Sequence, residues 1–294
     1  MNSPEALRRK IDSARDLQSV VKTMKALAAA SIRQYELSVA SLARYDRTLT
    51  LALQAVLQRS PPDWSQFVVP AVRRTGWVVL GSDRGMCGQF NERIGQFAVE
   101  RLEADGISAD RVLIACVGDR AGATLERAGW SVASRLVVPS SIAGVVPVVQ
   151  AIVLTLEEWR TSHQVDRISV VHARPLGSST YQPTCQQLFP LDVDHLKALR
   201  ATPWPGRSLP TYASEGDRLL SALIRQVFFV SLYRACAESL ASENASRLMS
   251  MQVAEKNVAE RLAQYEFEFQ QQRQTSITSE LLDIVAGFEA LTQA

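Results

Sequence analysis

The segment "GSDRGMCGQFN", residues 81–91, has the residue types of a phosphate-binding loop, because it joins an apolar strand to a predicted helix and contains three glycines. The glycines are spaced G-x-x-x-G-x-x-G, whereas dinucleotide sites use G-x-G-x-x-G and P-loops end in Gly-Lys followed by Ser or Thr. The spacing therefore favours a structural turn, in which glycines allow positive φ or close approach of the backbone, over a nucleotide site.

The other reactive side chains form no catalytic or metal-binding pattern. Cys87 would need a neighbouring base to act as a nucleophile, and the three histidines lie far from it and from one another in sequence. The four cysteines contain no C-x-x-C pair and no zinc spacing, which is typical of buried free thiols. Asp83 beside Arg84 is typical of an acid that stabilises a turn. We predict no catalytic residue, no cofactor and no metal.

The first 60 residues predict one long helix. Ser3, Pro4 and Glu5 form a helix start, and neither glycine nor a further proline occurs before the "SPPDW" segment. Apolar residues recur every three or four positions and predict one buried face, beginning with Leu7, Ile11, Ala14, Leu17, Val21, Met24 and Ala28.

Residues 217–294 predict a second long helix with one glycine and no proline. Two long helices with one apolar face each, at opposite ends of the chain, favour an antiparallel coiled coil. The repeat is imperfect, and we expect Ser246 and Asn257 to face solvent or a partner.

The middle, residues 66–215, alternates short apolar runs with helical patterns. The runs at 76–83, 111–118, 134–139 and 167–175 predict a mostly parallel sheet, and residues 181–191 could add an edge strand. The predicted fold class is thus an α/β (Rossmann-like) domain inserted between two long terminal helices that form an antiparallel coiled coil.

Composition excludes several classes of function. A net charge of +2 in 294 residues gives no support to nucleic-acid binding. No signal peptide is predicted at the start of the sequence. The apolar stretch at 140–159 is interrupted by Pro147 and Gln150, so we interpret it as a buried helix rather than a membrane span.

Two features suggest docking surfaces, although ordinary solvent-exposed helix faces would give the same patterns. Residues 1–60 carry ten Lys or Arg against five Asp or Glu, which would attract an acidic partner. Residues 273–287, "RQTSITSELLDIVAG", combine polar side chains with an apolar stripe that no third helix of the chain is predicted to cover.

Four segments in order resemble the γ subunit family of F-type ATP synthases. They are "VVKTMKALAAASIR" (20–33), the glycine loop (81–91), "SLYRACAESLASENASRLMSMQVAEKN" (231–257) and "RQTSITSELLDIVAG" (273–287). The resemblance covers essentially the whole chain. It implies a non-catalytic central rotor shaft, present once per complex, that couples ion flow through the membrane rotor to ATP synthesis or hydrolysis in the β subunits.

The resemblance also implies partners and contacts. The shaft would stand in a ring of α and β subunits, and its α/β domain and helix feet would dock the ε subunit and the membrane ring of c subunits. It would be peripheral, on the cytoplasmic face of a bacterial plasma membrane. The residues that match β-subunit contacts are Met24, Lys25, Arg273, Gln274, Thr278 and Glu280, and those that match the upper bearing are Ile284, Val285, Phe288 and Leu291.

Some positions depart from the family pattern, including Ser31 and the charged segment 253–274. These departures favour a divergent branch, such as the alternate or sodium-type F-ATPases. Two other functions stay open: a coiled-coil scaffold that dimerises through its arms, and a nucleotide-binding α/β enzyme with helical arms.

Overall fold

The computed structural model describes residues 4–64, 72–177, 180–208, 210–213 and 215–292, with Pro4 and 287–292 described by backbone alone. Two long helices flank an α/β sheet domain, as the sequence predicts. The elements, in chain order, are α1 (Pro4–Arg59), β1 (Thr75–Leu80), α2 (Phe90–Ala104), β2 (Val112–Val117), α3 (Asp119–Arg127), β3 (Ser134–Leu136), α4 (Val145–Ser162), β4 (Arg167–Pro175), β5 (Tyr181–Phe189), α5 (Val193–Ala201) and α6 (Gly216–Thr292).

The chain divides into two compact units. Unit 1 contains residues 1–27 and 248–294, and unit 2 contains residues 28–247. The predicted division into residues 1–60, 66–215 and 217–294 stays a prediction, since it follows helices and sheet rather than compactness.

The sheet of unit 2 has the strand order β3-β2-β1-β4-β5. The first four strands are parallel, because helices connect them, and β5 pairs antiparallel to β4 after a short connection. The five predicted strands are confirmed, each with bounds that differ by a few residues.

Three apolar clusters stabilise unit 2. One face of the sheet packs against α4 and the buried side of α6, and the other face packs against α2 and α3. A third cluster joins α1, α5 and α6 around Leu57, Leu196 and Leu220.

The apolar stretch at 140–159 forms α4, and five of its side chains are buried against the sheet: Val145, Val149, Ile152, Leu156 and Trp159. By length and composition, Ile142–Ser162 and Gly216–Ala286 each contain a segment apolar enough to cross a membrane. The core of unit 2 buries one side of α4, whereas Val146 and Leu154 stay 39% and 65% exposed.

Helix α5 has no counterpart in the predictions. The Asp192 carboxylate accepts hydrogen bonds from the backbone N–H groups of Asp194 and His195, both at 3.0 Å, and so caps its start. Gln54 and Gln58 of α1 donate to the carbonyl of Thr202 just beyond its end, at 2.7 and 2.8 Å.

In unit 1 the beginning of α1 runs antiparallel to α6, since Arg15 pairs with Glu266 and Lys25 with Glu255. Within unit 2 the same two helices are also antiparallel, since Ser38 contacts Tyr233 and Tyr45 contacts Gln226. Most of the predicted apolar face of α1 is buried or half-buried, but the prediction for Leu17 is wrong, because that side chain is 51% exposed.

Candidate functional site: the strand-end loop and the exposed helix surfaces

The glycine loop at 81–91 is held closed by its own side chains. Asn91 accepts from the backbone N–H of Ser82 at 2.9 Å and donates to the Ser82 hydroxyl at 2.7 Å. Gly88 has a φ of 58°, and a Cβ on Gly81 would lie 2.3 Å from that of Ala121. Glycine is therefore required here for backbone conformation and for close packing, as the sequence predicts.

The Asp83 carboxylate joins two neighbouring segments of the sheet domain. One oxygen accepts from the backbone N–H of Asp119 at the start of α3 (3.1 Å), and the other from the backbone N–H of Val138 (2.8 Å). A negative charge at a helix N-terminus is favourable. Asp83 thus supplies a carboxylate of the chain itself to the N-terminus of α3.

Helix α6 occupies the crevice where doubly wound sheets bind ligands, next to the ends of β1 and β4, where the strand order reverses. The Ser239 hydroxyl donates to the carbonyl of Leu80 (3.1 Å) and accepts from the backbone N–H of Ala173 (3.5 Å). Ser242 donates to the carbonyl of Ala173 at 3.3 Å. The strand-end polar groups are therefore satisfied by a helix of the same chain.

Helix α6 also holds the glycine loop. The Ser246 hydroxyl donates to the carbonyl of Cys87 at 2.6 Å, so the prediction that Ser246 faces solvent or a partner is wrong. Glu243 and Arg247, 5% and 9% exposed, form an ion pair at 2.5 Å beside the loop. Burial raises the pKa of Glu243, and the Arg247 charge opposes that shift.

Cys87 lacks the surroundings of a catalytic thiol. The side chain is 1% exposed, burial raises its pKa, and its sulfur neighbours are the Ser82 hydroxyl, the Asn91 amide and the carbonyl of Arg84. Across the described part of the chain, no group of three His, Cys, Asp or Glu residues is arranged to hold a metal ion.

Met24 and Lys25, predicted β-subunit contacts, are half-buried on α1 within unit 1. The Lys25 ammonium donates to Glu255 of α6 at 2.5 Å. Lys25 is therefore anchored on its own coiled coil, while 36% of its side chain stays accessible.

The four other predicted contacts, Arg273, Gln274, Thr278 and Glu280, lie within one to two turns of α6 and are exposed. Thr278 donates to the carbonyl of Gln274 at 2.9 Å, and Ser276 is 3.5 Å from Glu280. These four residues, which we call the polar turn, are thus brought together by the helix itself, and these hydrogen bonds lie within the helix.

Of the predicted bearing residues, Ile284 and Val285 are 69% and 50% exposed, and Phe288 and Leu291 lie outside the described side chains. Every described side chain from 273 to 286 is exposed. This run, which we call the exposed α6 segment, includes Ile277, Leu281 and Leu282, each at least 48% exposed.

Sequence reasoning missed the serines and the ion pair on α6 that hold the sheet. Ser239, Ser242 and Ser246 recur at intervals of three and four, which places them on one helical face. That periodicity of small polar residues was available in the sequence as a signal for a helix packed on backbone groups.

These features define a class of protein: two long antiparallel helices that carry a small α/β domain, in which the ligand crevice is filled and one helix extends an uncovered apolar surface. This arrangement is typical of a shaft or stalk.

A family model described as ATP synthase matches residues 3–291, and the chain belongs to this family. The ATP synthase γ chains of Nitrosomonas eutropha and Nitrosospira multiformis are 23% and 24% identical to it, over 99% of this chain and 100% of each relative. That of Methylococcus capsulatus is 24% identical over 97% of this chain and 98% of the relative.

Solved central stalks share the fold. A chain of the Euglena gracilis mitochondrial ATP synthase structure that comprises OSCP, F1 and the c-ring aligns with a TM-score of 0.64 at 18% identity, covering 98% of this chain and 94% of that one. The central stalk of the Tetrahymena thermophila enzyme aligns with a TM-score of 0.56 at 20% identity, covering 80% and 99%. The chain is the non-catalytic central rotor shaft of a membrane-associated F1 assembly.

Proposed function

We propose that this shaft works through two surfaces of unit 1: a lower contact at Met24 and Lys25, and an upper one on the exposed α6 segment. The observation that carries the proposal is the composition of that segment, where apolar side chains occur on a helix that the described part of the chain leaves uncovered. Apolar surface of this kind marks an interaction site. A ring of α and β subunits would cover it.

The exposed α6 segment divides into two parts of different chemistry. Arg273, Gln274, Thr278 and Glu280 offer directional hydrogen bonds and charge to a β subunit, which would transmit torque. Ile284 and Val285, continued by Phe288 and Leu291, would form the upper bearing. Apolar contacts lack directional bonds, so a turning shaft meets low barriers there.

Unit 2, which contains the α/β domain, would dock the ε subunit and the ring of c subunits. The chain would be present once per complex, peripheral to the cytoplasmic face of a bacterial plasma membrane. Rotation driven by ion flow would then impose different conformations on the β subunits in turn, or ATP hydrolysis would drive the reverse. Membership of the alternate or sodium-type branch stays a prediction.

The test is reconstitution with the cognate α and β subunits, followed by size-exclusion chromatography and an ATPase assay. We expect one copy of this chain per three αβ pairs and hydrolysis that depends on it. A stable homo-oligomer that leaves ATPase activity unchanged would instead establish a scaffold.

The polar turn has its own test in the same complex. Gln274→Ala combined with Thr278→Ala should weaken assembly with the ring and the ATPase activity that depends on this chain, while the chain stays folded. Gln252→Ala combined with Gln270→Ala is the matched control, because both glutamines are exposed on α6 outside the turn. Equal activity of the two double variants would remove the polar turn from the contact.

A further inference from the structure

The carboxylate of Glu238, on α6, contacts two basic side chains of β4. It accepts a hydrogen bond from Nε2 of His172 at 3.1 Å, and it lies 3.9 Å from Nε of Arg174. All three residues belong to unit 2, and we call them the β4–α6 clasp. None of them is part of the glycine loop or of the surfaces proposed above.

The clasp is largely shielded from water. Side chains alternate between the faces of a strand, so His172 shares its face with Val170, which packs in the apolar cluster with α4 and α6. The side chains of His172 and Glu238 are 2% and 14% exposed. Nδ1 of His172 is buried without a hydrogen-bond partner. Among the described residues, Glu238 alone therefore orients this ring by a hydrogen bond.

The serine contacts between α6 and the strand ends are weaker in kind. Ser239 and Ser242 bind backbone groups of Leu80 and Ala173 through neutral hydroxyls, at 3.1–3.5 Å. A hydrogen bond to an ionised group is about twice as strong as a neutral one, and exclusion of water strengthens it further. We therefore expect Glu238 to resist displacement more than either serine does.

Directional contacts and apolar packing resist different motions. Apolar side chains keep α6 on the sheet, but the attraction between them is non-directional. A hydrogen bond instead selects one position, because a displacement of about 1 Å takes it outside its normal range of lengths. A turn of α6 about its own axis would thus act first on the clasp.

We propose that the β4–α6 clasp fixes the rotational register of α6 on the sheet, so that torque passes between the α/β domain and the shaft with little angular fluctuation. Glu238 is then a positioning residue for coupling, since it holds α6 and does not itself meet the ring. The inference rests on the proposed function, because it takes unit 2 as the part that docks the rotor and the exposed α6 segment as the part that meets the ring.

The experiment measures angular fluctuation in the complex reconstituted with α and β subunits. The ring is fixed to a glass surface, and a gold nanorod is attached to unit 2 through Ala109→Cys, at an exposed position, in a chain that also carries Cys185→Ser. At low ATP concentration, the variance of the rod angle during the pause before each ATP binds reports the torsional stiffness between unit 2 and the ring. ATPase activity in solution is measured on the same complexes.

We expect Glu238→Ala to raise the angular variance roughly 1.5-fold to threefold, and Glu238→Gln to raise it less, because the amide keeps a neutral hydrogen bond of about half the strength. ATPase activity without load should stay unchanged, since neither variant alters a surface that meets the ring. If Glu238→Ala does not assemble, Glu238→Gln decides the question, and a wild-type variance in that variant would overturn the inference.

Two control variants separate the clasp from charge and from stability. Asp217→Asn removes a negative charge at an exposed position of α6. Gly129→Ala strains a residue with a φ of 89° outside the clasp, and so lowers stability without touching Glu238. Both controls should keep the wild-type variance. A variance that is equal in wild type and both Glu238 variants, or that rises as much in Gly129→Ala, would overturn the inference.

The wild-type chain tests the proposed function in the same apparatus. If ATP turns the rod on the wild-type chain, the proposed function is supported even when the Glu238 variants behave like wild type, and only the role of the clasp is lost. A wild-type complex that hydrolyses ATP without turning the rod would contradict the proposed function, and the inference with it.

Discussion

Unit 2 and unit 1 are stabilised by different kinds of contact. Unit 2 buries both faces of a sheet, and its core contains completely buried aliphatic and aromatic side chains such as Phe90 and Ile94. Unit 1 is held by a narrow apolar seam and by partly exposed ion pairs such as Lys25 with Glu255. The comparison teaches that unit 2 buries its apolar side chains within itself, whereas unit 1 leaves apolar side chains of its described residues exposed.

The largest expected difference between the two units comes from making the same substitution, leucine to alanine, in each of them. Leu232 of α6 is 1% exposed in the core of unit 2, and Leu281 of α6 is 58% exposed in unit 1. We expect Leu232→Ala to lower the free energy of unfolding by about 2–5 kcal/mol, because it leaves a cavity. Leu281→Ala should change it by less than about 0.5 kcal/mol.

Urea unfolding followed by tryptophan fluorescence measures the first value, since all five tryptophans lie in residues 28–247. Circular dichroism at 222 nm measures the second. A loss at Leu281 as large as that at Leu232 would mean that unit 1 buries this side chain by itself.

The next largest effect concerns backbone packing in unit 2. Gly118 has a φ of 96°, and a Cβ there would lie 2.6–2.8 Å from backbone atoms of Ser82. We expect Gly118→Ala to cost roughly 1–3 kcal/mol or more, since neither the conformation nor the contact can relax cheaply.

Gly129→Ala is the control for this prediction, because Gly129 also has a positive φ, of 89°, but no atom within 4 Å of the added Cβ. Tryptophan fluorescence in urea should show the larger loss for Gly118→Ala. Equal losses would assign the whole cost to the backbone angle rather than to the close approach of the glycine loop.

A smaller effect is expected for the pH dependence of stability, which should differ between the buried carboxyl group of Glu243 and an exposed one. Burial raises the pKa of Glu243, whose charged neighbours are Arg247, Asp83 and Arg84. A raised carboxyl pKa means that the folded state binds the proton more tightly. This contribution to stability is therefore fully present below the unfolded pKa near 4.5 and is lost as pH rises through the folded value.

Glu243→Gln removes that titration. The unfolding free energy of wild type, relative to that of the variant, should therefore fall as pH rises from about 4 through the raised pKa. Urea unfolding over this pH range measures it. Asp46→Asn, at a half-exposed ion pair with Arg234, is the control. A pH-independent difference for Glu243→Gln would mean that the carboxylate is not desolvated.

The smallest effect is expected for the ion pair of unit 1. Lys25 and Glu255 keep 36% and 25% of their side-chain exposure, so a double-mutant cycle to alanine should give a coupling of about 0–1 kcal/mol. Circular dichroism at 222 nm in urea measures the cycle at low and high salt. A coupling of several kcal/mol would place the pair in a dry interior and remove this contrast with unit 2.

Much of the fold was predictable because the signals are local. Apolar runs bounded by glycine or proline gave all five strands, and the lack of glycine and proline gave both long helices. Helix α5 was missed, although Asp192 is an ordinary cap, because nine residues between a strand and a proline-rich segment give a weak periodic signal. Leu17 was misassigned because an imperfect repeat drifts around the helix.

The candidate site was predictable in part. The glycine loop was correctly predicted as structural from its spacing alone. Its anchors on α6 were not predictable, because Ser246 and Cys87 are 159 positions apart and a serine in a helix gives no sign of its distant acceptor. The predicted contact residues stay predictions, since their partners belong to other chains.

The sequence by itself determined the order and type of the main elements, the glycine spacing that favours a structural turn and the two surfaces to examine, because these depend on residues that are near one another in the chain. Only the tertiary structure decided what fills the crevice at the end of β1. Ser239 and Ser242 of α6 satisfy backbone groups there that a ligand would otherwise bind, and this depends on bringing together segments separated by 159 and 69 residues.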